Sequence, residues 1–206
     1  LIGVIILGII LGGRLGYVVL YNPIYYFNNP IEIFMFWNGG MSFHGGLLGV
    51  IIATIMFGKK NSQNPLKFLD LISVAAPIGI FFGRIANFIN SELYGRVTDV
   101  PWSVIFIKVD ELSRHPSQLY EAFFEGILLF LILNYFLRRN FLINPGLISS
   151  LFLIFYSIFR FFIEFFRQPD EHIGFILLSL SYGQLISIIF CVIGLFLFLK
   201  TKNVVK

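Results

Sequence analysis

The chain has 206 residues, a length that would suit one ordinary soluble domain. Its composition excludes that class, because residues of the AVILMFWYC set make up 57% of the chain and charged residues only 13%, whereas soluble domains carry about 25% charged residues. The 26 phenylalanines also exclude a disordered chain, since such chains are poor in aromatic residues. A mean hydropathy of +0.86 indicates an integral membrane protein.

Six apolar segments approach the roughly 20 residues that a helix needs to cross a bilayer. They cover residues 2–19, 39–57, 68–89, 119–137, 147–166 and 182–199. Lipid offers no hydrogen-bond partners to an open backbone, and six strands are too few to close a barrel. The predicted fold class is therefore all-α: one integral membrane domain over residues 1–206, a polytopic transmembrane helical bundle with six spans.

The charges of the connecting segments give an orientation. One alternate set of connections carries eight basic residues and no acidic one, and the other set carries four basic and seven acidic residues. The positive-inside rule assigns the first set to the cytoplasm. The longest connection, about residues 90–116, is then a small loop region outside, and its apolar run 104–107 is predicted to form a strand or to dip into the interface.

The net charge of +4 does not indicate a nucleic-acid partner, because the basic residues are dispersed between apolar segments rather than gathered on one face. A single cysteine, Cys191, excludes an internal disulfide framework and a cysteine-based metal cluster. The three histidines have no recognisable metal-ligand spacing. We therefore expect no metal site, and we interpret Cys191 as a small packing residue.

Three arginines lie inside predicted spans: Arg14, Arg84 and Arg160. An arginine at the centre of a span costs about 2.5–3.5 kcal/mol on insertion scales, so each one needs compensation. In the predicted orientation all three lie in the outer half of their helices. A guanidinium matches phosphate oxygens with a two-pronged fork of donors, which favours a lipid-phosphate site whose substrate, rather than protein carboxylates, supplies the counter-charge. A transported soluble anion is the competing interpretation.

Each arginine also has a structural interpretation. Arg14 lies six residues from the outer end of its predicted span and can extend to the interface. Arg160 has Glu164 four residues later on the same helix face, and Tyr156 four residues earlier. Arg84 has no acidic residue three or four positions away, so the functional interpretation is favoured for it. Three other acidic residues in the spans are interpreted as structural or helix-end charges: Asp70, Glu121 and Glu125.

Two histidines lie near the predicted outer ends of spans. Four glycines between positions 39 and 46 flank His44 and permit an irregular helix start. An imidazole titrates near neutrality and can take a proton from a nucleophile, although a hydrogen bond from His44 to a neighbouring helix is the structural alternative. His115 precedes Pro116 and Ser117, which resemble a helix start with Ser117 as N-cap, so a structural role is the simplest interpretation of His115.

Polar residues also follow Arg84 along the chain, in residues 83–96. Asn87 and Asn90 are three positions apart, and each can donate to phosphate or hydroxyl oxygens. Alternatively they cap the end of the helix, and Gly95 serves to turn the chain. The two interpretations do not exclude each other.

These segments together resemble the prolipoprotein diacylglyceryl transferase family of bacterial membrane enzymes. The resemblance runs through residues 12–17, 39–48, 83–96, 114–121, 156–169 and 182–184, and the segment 83–96 is the specific one. It implies seven spans with the amino terminus outside. Because this chain starts at Leu1, already inside an apolar run, we expect it to be a fragment that lacks the first span of the family.

The resemblance also implies an activity. The diacylglyceryl group of phosphatidylglycerol would pass to the lipobox cysteine in the signal peptide of a preprolipoprotein, forming a thioether and releasing glycerol-1-phosphate, without a cofactor. The implied location is the bacterial cytoplasmic (inner) membrane, with the site facing the outer leaflet and membrane lipid as a further partner. A transporter or flippase for an anionic lipid or solute is the alternative, although such proteins commonly carry paired repeats.

The positions that match the motifs of this family give the site residues that the resemblance implies. The catalytic set is Arg84, Arg160 and His44, and the substrate-binding set is Arg84, Asn87, Glu92, Gly95, Tyr156, Glu164, Arg14 and His115. We expect the two catalytic arginines to hold the phosphate and to stabilise the charge that grows on it as the C–O bond breaks. Either His44 as a base or the field of the arginines would raise the thiolate fraction of the substrate cysteine.

Overall fold

The computed structural model describes residues 1–139, 144–168, 175–177 and 180–202. The chain divides into two compact units, Leu1–Leu69 and Asp70–Lys206, and the division falls inside one long helix. The prediction of a single domain over the whole chain stays a prediction.

The first unit consists of helices joined by turns. Its elements are α1 (Ile2–Leu20), α2 (Pro23–Asn28), two 3-10 turns (Pro30–Phe34 and Phe36–Asn38), α3 (Phe43–Lys60) and the beginning of α4 (Pro65–Asn90). Glycines permit close packing of α1 against α3, because a Cβ on Gly12 would lie 2.8 Å from Gly49 Cα and a Cβ on Gly16 would lie 2.6 Å from Gly45 Cα. Small residues four apart lie on one helix face and let helices in lipid approach closely.

The start of α3 differs from the prediction. The apolar segment was predicted to become helical at residue 39, but Gly39 and Gly40 have φ angles of 84° and 78°, in the left-handed region that glycine adopts without penalty. The helix begins at Phe43, and Ser42 caps it by accepting a hydrogen bond from the Gly45 amide at 3.3 Å. The glycines therefore turn the chain into the helix instead of extending the helix.

The second unit holds the rest of α4 and all later elements. These are β1 (Val104–Ile105), β2 (Ser113–Arg114), α5 (Ser117–Glu121), a π-helix (Ala122–Leu128), α6 (Leu129–Arg138), α7 (Leu147–Ile163), β3 (Phe175–Leu177), β4 (Leu180–Ser181) and α8 (Tyr182–Lys202). The strands form two antiparallel pairs, β1 with β2 and β3 with β4. The strand predicted within residues 104–107 is confirmed at its first two residues.

The core of the second unit lies between α6 and α7. Leu129 and Leu133 of α6 pack with Ile148 and Leu151 of α7 in one buried cluster. The beginning of α7 is also tied to α4 by Asp70, which accepts hydrogen bonds at 2.7 Å from the Gly146 amide, the Ser149 amide and the Ser149 hydroxyl. A carboxylate at a helix N-terminus satisfies amides that have no partner within the helix, so the structural role predicted for Asp70 is confirmed.

Each of the six predicted spans contains a helix in the described residues. Four helices are long and apolar enough to cross a membrane: Ile2–Leu20, Pro65–Asn90, Ser117–Arg138 and Gly183–Thr201. The 17 residues of α7 extend about 26 Å at 1.5 Å per residue, somewhat less than a bilayer core of about 30 Å. A membrane-spanning helical fold is therefore established, while the count of six spans stays a prediction.

Candidate active site

Arg84 of α4 and Arg160 of α7 meet at one carboxylate. The Arg84 Nε lies 2.6 Å from one oxygen of Glu121, and the Arg160 Nη1 lies 2.7 Å from the other. Glu121 is the last residue of α5 and is completely buried. The two arginines that the sequence singles out from different spans thus share a partner from a third helix.

Glu125 lies one helical turn after Glu121 and is further from the two arginines. Its carboxylate oxygens lie 3.8 Å from the Arg84 Nη2 and 3.7 Å from the Arg160 Nη1. Both distances exceed the length of a hydrogen bond, so Glu125 acts on the two guanidinium groups mainly through its charge. Glu125 is completely buried as well.

Glu164 completes the group on the side of α7. It lies 3.0 Å from the Arg160 Nη2 and 3.7 Å from the Arg167 Nη1, and it accepts a hydrogen bond from the Ser181 hydroxyl at 3.0 Å. We call the six charged residues the ion-pair cluster: Arg84, Arg160, Arg167, Glu121, Glu125 and Glu164. Three guanidinium groups face three carboxylates, so the formal charges balance.

The cluster corrects two predictions. The counter-charge of Arg84 and Arg160 was expected from a substrate phosphate, but protein carboxylates supply it. Glu121 and Glu125 were interpreted as structural or helix-end charges, yet they lie at the centre of the candidate site. Their four-residue spacing inside an apolar span was a usable signal, since an ionisable residue in a membrane segment is by default a functional candidate.

A π-helix and a glycine bring these residues together. Glu125 lies in the π-helix Ala122–Leu128. Short π segments inside α-helices are rare overall, but many of those that occur lie at functional sites. The next residue, Gly126, faces α4 so closely that a Cβ there would lie 2.7 Å from the Phe81 Cβ. Because Phe81 is one turn before Arg84, the missing side chain at position 126 lets Arg84 reach the carboxylates.

The two arginines differ in how much of each guanidinium is already bound. Arg160 uses both Nη groups in ion pairs, to Glu121 and Glu164, and its side chain is 10% exposed. Arg84 uses its Nε, while its Nη2 makes only the 3.8 Å approach to Glu125, and its side chain is 19% exposed. Of these two arginines, Arg84 therefore keeps its terminal donors more available for another anion.

Other predicted substrate-binding residues lie on the same helices. Tyr156 is one turn before Arg160 and is half-buried, and its ring stacks on Phe152 at 5.6 Å. Asn87 is one turn after Arg84 and is also half-buried. The Glu92 side chain is exposed, and in the described part of the chain its carboxylate makes no ion pair. Their roles in binding substrate stay predictions.

The turn after α4 is held by the beginning of α5. Ser91 and Leu93 have φ angles of 62° and 53°, which cost free energy for residues other than glycine. The Ser117 hydroxyl donates to the Leu93 carbonyl at 3.2 Å, and the Gln118 side-chain Nε2 donates to the Glu92 carbonyl at 2.6 Å. The prediction that Ser117 caps α5 is wrong, because its hydroxyl binds this turn and the N-cap position belongs to Pro116.

Gly95 permits close contact between three segments of the second unit. Its amide donates to the His115 carbonyl at 3.0 Å, and a Cβ on Gly95 would lie 2.6 Å from the His115 Cβ and 2.7 Å from the Phe166 carbonyl. The requirement for glycine is thus steric. His115 is half-buried, with its ring 5.2 Å from that of Phe166, and burial lowers the pKa of His115 below its ordinary value.

Arg14, in the first unit, is bound by backbone carbonyls. Its Nε donates to Ile33 at 2.9 Å, its Nη1 donates to Gly39 at 2.6 Å, and its Nη2 donates to Glu32. The guanidinium also lies 5.1 Å from the centre of the Tyr26 ring. Only 5% of Arg14 is exposed, so its guanidinium is held inside the first unit. This geometry favours a structural role for Arg14 over contact with substrate.

His44 is the second residue of α3. Its side chain lies outside the described part of the structure, so the predicted role of His44 as a base rests on the sequence alone.

Comparisons with known proteins find similar sequences over almost the full length of the chain. The family model of prolipoprotein diacylglyceryl transferase matches residues 1–200. A protein of Rickettsia bellii named phosphatidylglycerol–prolipoprotein diacylglyceryl transferase is 58% identical over 198 residues, which cover 96% of this chain and 75% of that protein. Proteins of the same name are 55% identical in Rickettsia typhi, over 96% of this chain and 77% of the relative, and 51% identical in Wolbachia pipientis, over 96% and 76%.

Proposed function

The chain belongs to the prolipoprotein diacylglyceryl transferase family, and we propose that it transfers the diacylglyceryl group of phosphatidylglycerol to prolipoproteins. The observation that carries this function is the convergence of Arg84 and Arg160 on the buried carboxylate of Glu121. A pair of guanidinium groups held in this way is suited to an anionic phosphate, the charged group of a phosphatidylglycerol headgroup.

Arg84 is the proposed contact to the phosphate. Glu121 holds its Nε, which fixes the plane of the guanidinium and leaves the terminal nitrogens to form a two-pronged donor. A donor that is positioned before the substrate arrives loses less conformational entropy on binding. Lysine cannot reproduce this arrangement, because an ammonium lacks the rigid planar fork.

Arg160 is the proposed second catalytic arginine. Its terminal nitrogens stay bound to Glu121 and Glu164, so it keeps Glu121 in position beside Arg84 and does not have to move when negative charge develops nearby. Groups that are preorganised in this way stabilise a transition state without reorganisation at the moment of reaction. Tyr156 and Asn87, on the same helices, are proposed to contact the lipid beside the two arginines.

An apolar cavity is suited to the lipid tail. It has a volume of 360 Å³ and is lined by aromatic and isoleucine side chains, among them Tyr120, Phe124 and Phe159. Each of these three residues directly precedes a member of the ion-pair cluster in the sequence. The cavity and the cluster therefore lie on neighbouring faces of the same helices, which supports binding of an acyl chain next to a bound headgroup.

The reaction is a displacement at the glyceryl carbon that carries the phosphate. The lipobox cysteine sulfur forms a C–S bond to this carbon, the C–O bond breaks, and its electron pair stays on the phosphate oxygen. Glycerol-1-phosphate leaves, the prolipoprotein substrate keeps the new thioether, and the proton of its thiol passes to a base. A free thiol has a pKa of about 8.5, so a base or a positive field near the sulfur raises the thiolate fraction. His44 is the proposed base.

The proposed setting is the bacterial inner membrane. Six spans, with α3 and α7 crossing in addition to the four longer helices, would put the region from Asn90 to Pro116 on the outer side. The segregation of charges between the connections supports this orientation. Arg84 lies in the last two turns of α4, on the same side, so the donor lipid is proposed to come from the outer leaflet.

Full-length protein in phosphatidylglycerol nanodiscs with a lipobox peptide tests the function. We expect lipidation of the peptide together with release of glycerol-1-phosphate, both of which mass spectrometry can follow. Nanodiscs that contain phosphatidylethanolamine alone are the control and should give no product. Movement of labelled lipid across proteoliposomes without any lipidation would instead support a transporter or flippase and reject the transferase.

A further inference from the structure

Three side chains of the second unit form a hydrogen-bonded chain that the proposed function does not use. The Trp102 Nε1 donates to the Tyr120 hydroxyl oxygen at 2.7 Å, and the same oxygen lies 3.2 Å from the His115 Nδ1. The His115 and Tyr120 rings also meet edge to face, with their centres 6.0 Å apart. We call Trp102, Tyr120 and His115 the relay.

The chemistry of the three groups assigns the protons. An indole N–H can only donate, so the Tyr120 oxygen accepts from Trp102. A tyrosine hydroxyl has a single proton, and within the described part of the chain its second partner is the His115 Nδ1. Directing that proton to Nδ1 satisfies all three groups, and it requires Nδ1 to be unprotonated. A neutral imidazole then carries its proton on Nε2.

We propose that Trp102 and Tyr120 hold His115 as the neutral Nε2–H tautomer, so that His115 offers a hydrogen-bond donor and not a base. The acceptor that fits this donor is a phosphate or ester carbonyl oxygen of a glycerolipid, an assignment that rests on the proposed function. Trp102 and Tyr120 are then positioning residues, which act through His115. The half-buried position of the ring supports a neutral imidazole, since burial disfavours the charged form.

The relay adjoins the ion-pair cluster through two elements. Tyr120 directly precedes Glu121, which binds both Arg84 and Arg160. Phe166, whose ring contacts His115, directly precedes Arg167, which pairs with Glu164. A donor on His115 would therefore act beside the arginines. The same assignment removes His115 as an acceptor for the thiol proton, because its Nδ1 lone pair is already used.

Nitrogen NMR reads the tautomer directly. The chain contains three histidines, so protein labelled with 15N-histidine in nanodiscs gives a simple spectrum, in which His115 is assigned by its loss in His115→Asn. At pH 7.5 we expect an unprotonated Nδ1 and a protonated Nε2 for His115. Tyr120→Phe should produce a mixture of tautomers or a protonated Nδ1. A protonated Nδ1 in the wild type, or an unchanged spectrum in Tyr120→Phe, would overturn the proposal.

Trp102→Phe gives a milder test that keeps an aromatic ring. It removes the donor to Tyr120 and should shift part of the His115 population to the other tautomer. Trp37→Phe is the matched control, because Trp37 is the other tryptophan of the chain and lies in the first unit. It should leave the His115 signals unchanged. Equal effects of the two substitutions would contradict the relay.

Activity then separates a donor from a base. A glutamine amide lies near the position of Nε2, whereas an asparagine amide lies near that of Nδ1, so His115→Gln should retain lipidation within about tenfold and His115→Asn should lose more than that, through a higher KM for phosphatidylglycerol. The reverse ranking would reject the donor role. If the wild type shows the expected tautomer but no lipidation, the relay stands and the proposed function fails.

Discussion

The chain buries arginine side chains in two chemically different ways. Arg14, in the first unit, donates to backbone carbonyls of the segment that follows α2. Arg84 and Arg160, in the second unit, pair with carboxylates. Backbone carbonyls are neutral and belong to the fold, so Arg14 pins a chain segment in place. Carboxylates hold a guanidinium through charge, and at Arg84 they leave part of the donor fork available, which suits a site that must also bind an anion.

The largest effect is expected at Arg84. Arg84→Ala should lower lipidation at least 10²-fold, since loss of one donor to developing charge typically costs about 10²–10³ in rate. Arg84→Lys should remain far below the wild type because the planar fork is lost. Lipidation assays and circular dichroism on the same samples separate loss of activity from unfolding. Arg139→Ala is the control, since this arginine stacks on Tyr135 away from the cluster, and it should lipidate the peptide at the wild-type rate. Wild-type turnover by Arg84→Ala would reject Arg84 as the contact to the phosphate.

Glu121→Gln should damage both stability and activity. It leaves two guanidinium groups without their shared carboxylate, and breaking a buried ion pair by removing one partner costs about 3–5 kcal/mol. Thermal unfolding in detergent measures the first effect, and lipidation by the remaining folded protein measures the second. If Glu121→Gln unfolds at the same temperature as the wild type, the ion pairs of Arg84 and Arg160 with Glu121 do not contribute much to the stability of the second unit.

Arg14→Ala sharpens the comparison from the other side. The loss of several hydrogen bonds to a charged group, each worth about 1.5–3 kcal/mol, should lower the unfolding temperature. The KM for phosphatidylglycerol of the protein that remains folded should not change, because the guanidinium donates within the fold. A large rise in KM without loss of stability would restore Arg14 as a substrate-binding residue.

Gly126→Ala tests the approach of α4 to the π-helix. The new methyl group would meet the Phe81 Cβ at 2.7 Å, and overpacking of this kind costs about 1–3 kcal/mol, so both stability and lipidation should fall. Gly79→Ala, also on α4, has open space around it and should be neutral or stabilising by about 0.4–1 kcal/mol. If the two substitutions behave alike, helix propensity rather than close approach governs position 126.

The smallest effect concerns pH. Burial lowers the pKa of His115 in the folded protein, so the unfolded chain takes up a proton first as the pH falls below about 6.5. Stability is therefore fully present above that pH and is lost as the pH falls toward the pKa of the folded state. The stability difference between the wild type and His115→Gln should shrink from pH 7.5 to 5.5 in thermal unfolding, whereas parallel curves would contradict a lowered pKa.

Parts of the site could be anticipated from residue types. Arg84 stood out because an arginine deep in an apolar segment without a helical neighbour of opposite charge is expensive. Glu121 could not be recognised as its partner, because the two residues are 37 positions apart and a sequence pattern carries no distance between helices. Ser117 was misread for a related reason, since its acceptor, the Leu93 carbonyl, lies on a different turn of the chain.

Composition and hydropathy by themselves determined that this protein lies in a membrane, where its helices begin to within a few residues, and which charges are costly there. These properties follow from transfer of side chains out of water, which depends on local sequence. Tertiary structure alone decided which charges neutralise each other: close approach at Gly126 and a π-helix bring three arginines and three glutamates of different helices together. Such contacts depend on backbone approach over distances that no local pattern encodes.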